Sequence, residues 1–301
     1  MTTTTRSSHN LERKKKAPNL ELRFPPLPRT VSEVSALLAQ QTDIPDTPEL
    51  TRIVHNDPMV AALVLKRINS AYFGIRREVS DVGKAVRLLG FLEVCNIVLA
   101  SAMMKLRNVV KTRAQERMFE QIMQASVGTA SYATELTNFL KMPNREIAFT
   151  SGLLHTSGRL VLLHNRPAGY ERLWKSGKPG TMPTAGSERA TFGVDHTLLG
   201  GLAADHWNLP ESVVQVIRCY LKPGHLRHPG LRSIALAVSV AASATEQLCM
   251  TPDNNHLRFE AKTALRILAR TSNASPQELV RLIESRRANV KDYMATMIYS
   301  S

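Results

Sequence analysis

The sequence is poor in aromatic residues and in alternating β-branched residues. Phenylalanine, tryptophan and tyrosine make up 5% of its 301 residues. Sheets are enriched in aromatic and β-branched side chains that alternate between two faces, and this pattern is scarce here, whereas alanine, leucine and valine are abundant. We therefore predict an all-α protein, and a chain of this length can form two helical lobes.

Cysteine and long apolar runs are also scarce. The three cysteines, Cys95, Cys219 and Cys249, lie far apart and share no spacing typical of metal ligands. Their odd number and separation argue against a disulfide framework and against a zinc cluster. The N-terminal residues lack the apolar segment of a signal peptide, and no apolar run approaches the roughly 18 residues of a membrane span. We expect a soluble, cytoplasmic protein with reduced thiols.

Acidic residues are in the minority, and part of the basic excess lies at the N-terminus. The formal net charge is +14. Basic side chains outnumber acidic ones in residues 1–29, and we predict that residues 1–23 form a basic, disordered tail. The candidates for phosphate contacts in this tail are Arg13, Lys14, Lys15 and Lys16. The alternative is a solvated tail that only aids solubility.

Capping residues followed by proline predict the starts of three helices. Thr47-Pro48, Asp57-Pro58 and Ser275-Pro276 each place a capping side chain before a proline at the first helical position. Glu278 lies three residues after Ser275, which predicts a capping box.

The pattern of apolar and breaking residues divides the rest of the chain. Residues 82–104 predict two apolar helices separated near Gly90, and residues 231–248 predict one long helix. The charged residues 105–117 are a candidate link between two lobes. Residues 173–189 are rich in glycine, proline and serine, which predicts a loop.

The order of motifs in residues 56–103 resembles that of a known family. The motifs are Asp57-Pro58, Asn69-Ser70-Ala71, Phe73-Gly74 and Leu89-Gly90. Together with two later segments, residues 152–162 and 192–218, they resemble the HDOD proteins, the HD-related output domains of bacterial signalling. The resemblance extends over residues 24–223.

This resemblance implies a two-lobed, all-α HDOD fold. It implies an HDOD domain at residues 24–224, made of an N-terminal helical lobe at 24–114 and an HD-like lobe at 115–224. Residues 225–301 are then expected to add helices that complete the HD-like lobe.

The resemblance also allows the metal ligands of HD phosphohydrolases to be compared with this sequence. Those enzymes use a histidine, a His-Asp pair and a distant aspartate. The pair corresponds to His155-Thr156 here, and a threonine hydroxyl cannot supply the anionic oxygen that a hard cation prefers. The earlier histidine corresponds to Gln124 or Ala125, and Ser243 is the nearest polar candidate for the later aspartate. Because most ligands are missing, we expect no metal, no cofactor and no enzymatic activity.

The residues at this degenerate HD position have structural interpretations. We interpret His155 as a buried histidine that is hydrogen-bonded where two helices meet. Gly158 is expected to allow a close helix approach or to end a turn, and Arg159 to pair locally or to face solvent.

Other histidines are weaker candidates. Asp195-His196 and Asp205-His206 could each mimic an HD pair, but the family resemblance places Asp195 at a helix start, where it serves as an N-cap. His225 and His228 lie beside glycine and proline and are predicted loop residues.

The resemblance implies a non-catalytic regulator that acts on signalling proteins in trans, in motility, stress-response or cyclic-dinucleotide pathways. The turn at residues 69–77 contains residue types that are enriched at interfaces. The predicted partner surface consists of Asn69, Tyr72, Phe73, Arg76 and Arg77. The alternative is that Tyr72 and Phe73 only pack the turn against the core.

The sequence leaves two other functions open. One is a nucleic-acid-binding regulator that uses the basic tail and surface, although no helix-turn-helix signature supports sequence-specific binding. The other is a residual metal-dependent phosphohydrolase.

Overall fold

The computed structural model describes residues 22–25, 29–39, 46–70, 73–75, 77–143, 146–178, 180–249 and 259–298. Within these ranges the chain forms α-helices and two short 3-10 helices, with no strand, which confirms the predicted all-α class. The first five helices are α1 (Arg29–Ala39), α2 (Thr47–His55), α3 (Pro58–Ile68), α4 (Val82–Leu89) and α5 (Phe91–Lys105).

Eleven further described helices follow a 3-10 turn at Leu106–Val109. They are α6 (Arg113–Phe139), α7 (Glu146–Leu154), α8 (Ser157–Asn165), α9 (Pro167–Ser176), α10 (Ala185–Phe192), α11 (His196–His206), α12 (Glu211–Cys219), α13 (Pro229–Cys249), α14 (Phe259–Thr271), α15 (Pro276–Ser285) and α16 (Arg287–Ile298). A second 3-10 turn, Pro223–His225, separates α12 from α13.

Local capping explains where several helices begin. The Asp57 carboxylate accepts hydrogen bonds from the backbone N–H groups of Met59 and Val60, and Ser275 forms a capping box with Glu278. The prediction for α2 was wrong by one residue. Its N-cap is Asp46, whose carboxylate accepts from Glu49 N, and Thr47 is the first helical residue.

Gly90 separates α4 from α5, as the sequence predicts. Its φ of 85° lies in the region that favours glycine. The chain turns sharply there, so the two apolar helices pack against each other and against α2 and α3.

The long helices α6 and α13 form the centre of the second half of the fold. They pack against each other, and α7 and α16 pack on α6 while α14 packs on α13. On the other side, α11 packs between α8 and α12. The predicted long helix at residues 231–248 is therefore confirmed as α13. Before α12 the chain turns at Asn208, whose φ is 56°.

The two halves share one core. Buried apolar side chains from Val34 to Ile298 belong to a single connected cluster, and α16 packs on α3 and α5 as well as on α6. The charged residues 105–117 include the 3-10 turn and the first residues of α6. Arg107 in that turn forms an ion pair with Glu116 in α6. The predicted domain division at residues 114 and 224 stays a prediction.

Two segments differ from the sequence-based expectation. Residues 173–189 are not one loop, because α9 extends to Ser176 and α10 begins at Ala185 with Thr184 as its N-cap. The predicted end of the tail at residue 23 falls inside a docked segment. Arg23 N donates to the Asn165 side chain at 2.9 Å, and the Phe24 ring stacks on His206 with centroids 5.0 Å apart.

In the described ranges, no single helix is both long enough and apolar enough to span a membrane. One pair of helices, Val82–Leu89 with Phe91–Asn108, reaches that length and apolarity together, but it is bent by 111°.

Candidate functional site

His155 lies in the tight turn between α7 and α8. Its side chain is 3% exposed, and its Nδ1 is 2.6 Å from the backbone carbonyl of Gly152. A carbonyl can only accept, so Nδ1 carries the proton and Nε2 carries the lone pair. Burial lowers the pKa of His155 to about 3, so the imidazole is neutral at physiological pH. These contacts agree with the interpretation of His155 as a buried, hydrogen-bonded histidine.

The other degenerate HD positions surround a cavity of about 270 Å³. His155, Ala125 and Ser243 all line it, whereas Gln124 does not. Thr156 is fully buried beside them, and its hydroxyl is hydrogen-bonded to the hydroxyl of Ser126 on α6. The fold therefore brings together the positions that the sequence comparison selected, and beside His155 the side chains of Ala125, Thr156 and Ser243 offer only methyl or hydroxyl groups.

Arg159 also lines this cavity, and the expectation that it pairs locally or faces solvent was wrong. The side chain is buried, and Nη1 donates to Glu188 Oε1 at 2.7 Å and to the Pro183 carbonyl at 2.7 Å. Glu188 lies 29 residues away on α10, and its side chain has no exposed surface. A long-range buried ion pair therefore occupies the wall next to His155.

Glu188 accepts hydrogen bonds on both carboxylate oxygens. Oε1 also accepts from the Tyr170 hydroxyl at 2.9 Å, and Oε2 accepts from His196 N at 2.8 Å and His196 Nδ1 at 2.5 Å. Because Nδ1 of His196 donates to the carboxylate, its Nε2 accepts from the Tyr220 hydroxyl at 2.8 Å. The Tyr220 ring then meets His155 edge-on, with centroids 5.1 Å apart.

Charge pairing controls the protonation states in this network. Burial alone would raise the pKa of Glu188, but the charge of Arg159 and the bonds from His196 lower it to about 2. Burial and the nearby Arg159 charge lower the pKa of His196. At neutral pH Arg159 and Glu188 thus form a fixed ion pair beside two neutral imidazoles, those of His155 and His196.

Gly158 allows this arrangement because α8 and α11 nearly touch there. A Cβ atom at Gly158 would lie 2.1 Å from the His196 carbonyl oxygen and 2.6 Å from Gly200 N. The close helix approach expected at Gly158 is therefore present. The predicted N-cap at Asp195 is present too, since its carboxylate accepts from Thr197 N and Leu198 N.

The three other candidate histidines, His206, His225 and His228, are outside this network. His206 stacks on Phe24, and His225 is exposed in the second 3-10 turn. His228 Nδ1 accepts a hydrogen bond from Leu231 N at the start of α13.

The predicted partner surface is only partly described. The Asn69 amide bonds both the N–H and the carbonyl of Val79, and Phe73 packs over the guanidinium of Arg67 at 5.0 Å. Arg77 is exposed. Tyr72 and Arg76 lie outside the described residues, as do the four basic tail positions, Arg13, Lys14, Lys15 and Lys16.

Sequence reasoning missed Glu188, Tyr170 and Tyr220. Glu188 and Tyr170 are each part of the buried network although nothing adjacent in the sequence distinguishes them from surface residues. Glu188 also falls in the segment that was predicted as a loop. One local signal was available, because Thr184 precedes Ala185 in a pattern that is typical of a helix N-cap.

Comparison with known proteins agrees with this architecture. The family model of the HDOD domain matches residues 24–223, about two thirds of the chain. The chain belongs to the HDOD family. A curated relative, an uncharacterized protein of Treponema pallidum (strain Nichols), is 24% identical over 199 residues. That match covers 65% of this chain, and this HDOD chain spans only 37% of the relative's length.

Solved structures share the HDOD fold at low identity. An HDOD domain protein of unknown function from Geobacter sulfurreducens has a TM-score of 0.76 at 17% identity, over 92% of this chain and 94% of its own. A Marinobacter aquaeolei VT8 protein, provisionally named a signal transduction protein, has a TM-score of 0.68 at 19% identity, over 91% and 60%. A Shewanella amazonensis SB2B protein, provisionally named a phosphohydrolase, has a TM-score of 0.66 at 20% identity, over 91% and 94%.

The residues at the HD position of this HDOD chain do not fit a catalytic divalent metal. Such a metal needs several imidazole or carboxylate ligands, and Ala125, Thr156 and Ser243 supply none. In the part of the chain that the structure describes, no group of three or more histidine, cysteine, aspartate or glutamate side chains could hold a metal ion.

Proposed function

We propose that this HDOD-family chain is a non-catalytic signalling regulator that acts through contacts with partner proteins. One observation carries the proposal. At the cavity that His155 lines, the positions that correspond to the other metal ligands of a hydrolase hold Ala125, Thr156 and Ser243, which offer only a methyl group and two hydroxyl groups. The fold is retained while the donor set for metal-activated water is absent from these positions.

The names of structural neighbours are compatible with either class of function. The Marinobacter protein is provisionally named for signal transduction and the Shewanella protein for phosphohydrolysis. The chemistry around His155 favours the first of these for this chain, because neither His155 nor Glu188 is suited to proton transfer. Glu188 is saturated by four donors, and His155 keeps a pKa far below neutral.

Metal content and turnover test the non-catalytic half of this proposal. The full-length protein, purified without chelators, is expected to contain manganese, iron and zinc well below one ion per chain. It is also expected not to hydrolyse bis(p-nitrophenyl) phosphate when Mn²⁺ is added. His155→Asn is the matched control, since asparagine retains an N–H donor. A stoichiometric metal with turnover that His155→Asn abolishes would overturn the proposal.

Partner capture tests the other half. We propose that the exposed part of the turn at 69–77, which includes Ile75 and Arg77, contacts the partner. The double variant Arg76→Ala/Arg77→Ala is expected to lose partners from the native cell extract, identified by mass spectrometry, while its melting temperature stays the same. Arg113→Ala/Arg117→Ala removes the same charge from an exposed face of α6 and should retain them. Equal recovery of partners by both variants would exclude this surface.

A further inference from the structure

A second cavity lies away from His155, among the C-terminal helices. It has a volume of about 290 Å³, and residues of α13, α14 and α15 form most of its wall. One residue of α6, Tyr132, and one of α16, Arg287, complete it. Apart from Tyr132, its described lining lies outside residues 24–223, the segment that the HDOD family shares. We call it the C-terminal groove.

The inside of the C-terminal groove is mostly apolar. Its apolar lining consists of Ala244, Leu248, Leu265, Pro276, Val280 and Ile283. Four of these side chains are buried, and Val280 is 38% exposed at the edge. Small-molecule sites commonly combine such a lining with a few polar groups that fix orientation.

Tyr132 supplies a polar group inside the groove. The residue is only 2% exposed, and among the described residues its hydroxyl has no hydrogen-bond partner. Burial raises the pKa of Tyr132 to about 12, against the opposing effect of the nearby Arg287 charge. The hydroxyl therefore remains a neutral donor at the wall of the groove, with Arg287 close by.

Unpaired cations border the same groove. Among its described lining residues are the cations Lys262, Arg266 and Arg287 and one carboxylate, Glu284. None of these three cations forms an ion pair with another residue in the described ranges. The opening thus combines an apolar interior with an excess of positive charge, and an occupant with an apolar body and an anionic group is complementary to both.

We propose that the C-terminal groove binds an anionic amphiphile, a single apolar chain that ends in a carboxylate. The carboxylate accepts from the Tyr132 hydroxyl and pairs with Arg287 and Arg266, and the chain lies on Leu265 and Ile283. An amphipathic helix of a partner is less favoured, because Val280 alone among the exposed large apolar residues of the described ranges borders the groove. The proposal goes beyond the regulatory function proposed above and does not depend on it.

Titration with dodecanoate below its micellar concentration tests the site on the full chain. Methyl NMR is expected to show shifts at Val280 and Ile283, and calorimetry to give one site per chain. Dodecyltrimethylammonium and dodecanol match the chain length with a cationic and a neutral head, and both are expected to bind at least about tenfold more weakly. A synthetic acidic amphipathic peptide tests the alternative that a partner helix occupies the groove.

The affinities of three variants show which side chains contribute to binding. Tyr132→Phe keeps the ring and removes the hydroxyl donor. We expect the affinity to fall about tenfold, because the lost hydrogen bond is one to a charged acceptor. Arg266→Gln/Arg287→Gln should cause a larger loss. Arg113→Gln removes a charge from the other end of α6, about 28 Å away along the helix, and should bind as the wild type does.

Several results would overturn the proposal. One is equal binding of the three amphiphiles, which would mean unspecific apolar association. Another is binding that the Tyr132 and arginine variants leave unchanged at wild-type melting temperature. A third is binding of the acidic peptide without binding of dodecanoate, which would assign the groove to a partner helix.

Discussion

At the scale of single residues, the network around Glu188 shows how a charge is stabilised inside a helical protein. Each carboxylate oxygen accepts two hydrogen bonds, and Arg159 neutralises the charge. Burying two ions is costly, and the pair is tolerated because every acceptor position of the carboxylate is used. Removal of one donor is therefore expected to be more harmful than removal of an unbonded hydroxyl elsewhere.

Two tyrosines allow this expectation to be measured. Tyr170→Phe removes the hydroxyl that donates to Glu188 at 2.9 Å, and we expect a loss of about 2 kcal/mol in the free energy of unfolding. Tyr293 is also buried, but its hydroxyl has no partner among the described residues. Tyr293→Phe keeps the ring that Arg67 contacts at 4.4 Å, and stability should stay equal or rise by up to about 1 kcal/mol. Equal losses for both variants in urea denaturation would contradict this view of the network.

His155 couples folding to pH. Its pKa is about 3 in the folded protein, against 6.5 for a solvated histidine, so below pH 6.5 the unfolded chain binds a proton that the folded chain does not. Stability is therefore expected to fall from pH 6.5 towards pH 3, by about 2 kcal/mol between pH 7 and pH 5 from this residue alone.

The variant His155→Asn should make this pH dependence shallower. The remaining slope includes His196, whose pKa is also lowered by burial. His225→Gln is the matched control, because the His225 side chain is exposed in the folded protein, and its profile should follow the wild type. Urea denaturation at several pH values measures the difference, and an unchanged slope for His155→Asn would show that His155 titrates alike in both states.

At the scale of helices, short-range signals predicted where helices begin and long-range contacts decided the rest. The caps at Asp57 and Ser275 were predicted because the capping side chain and the N–H groups it accepts from are separated by two or three residues. At α2, two adjacent residues can both cap, and the sequence does not rank Asp46 above Thr47. Helix α10 was missed because its neighbourhood is rich in glycine and proline, whereas its position is fixed by Glu188 packing into the core.

The contact between α8 and α11 gives an element-scale prediction. Gly158→Ala places a Cβ atom 2.1 Å from the His196 carbonyl oxygen, which is backbone and cannot rotate away. We expect a destabilisation of about 3 kcal/mol or more, measured as a fall in the urea midpoint. Gly83→Ala in α4 is the control, since its nearest neighbours lie at 3.5 Å and alanine favours helices. That variant should be neutral or up to about 1 kcal/mol more stable, and a similar result for Gly158→Ala would contradict the close approach.

At the scale of the whole molecule, a single connected core predicts that both halves unfold together. Helix α16 contacts α3, α5 and α6, so neither half can lose its packing without exposing apolar surface of the other. Chains of this size often unfold in steps when their lobes have separate cores, and here the cores are continuous.

Probes in the two halves can compare their transitions. Trp174 and Trp207 report on α9 and α11, and Cys95 is buried in α5. In Cys219→Ser/Cys249→Ser protein, thiol labelling of Cys95 and tryptophan fluorescence are expected to give the same urea midpoint. The wild-type fluorescence curve is the control for the two substitutions. Labelling of Cys95 at a clearly lower urea concentration would show that the first five helices unfold independently.

The sequence by itself determined the all-α class, the helix caps at Asp57 and Ser275, and the lack of metal-binding side chains at the degenerate HD position, because these depend on the identities of residues and their near neighbours. The residues Ala125, Thr156 and Ser243 have no carboxylate or imidazole in any fold. Only the tertiary structure decided that Arg159 pairs with Glu188, that Glu188 meets His196, and that Tyr132 faces a groove bordered by cations. None of these partners are near neighbours in the sequence, and their contacts exist only because the packing of α8, α10 and α11, and of α6 with the C-terminal helices, brings them together.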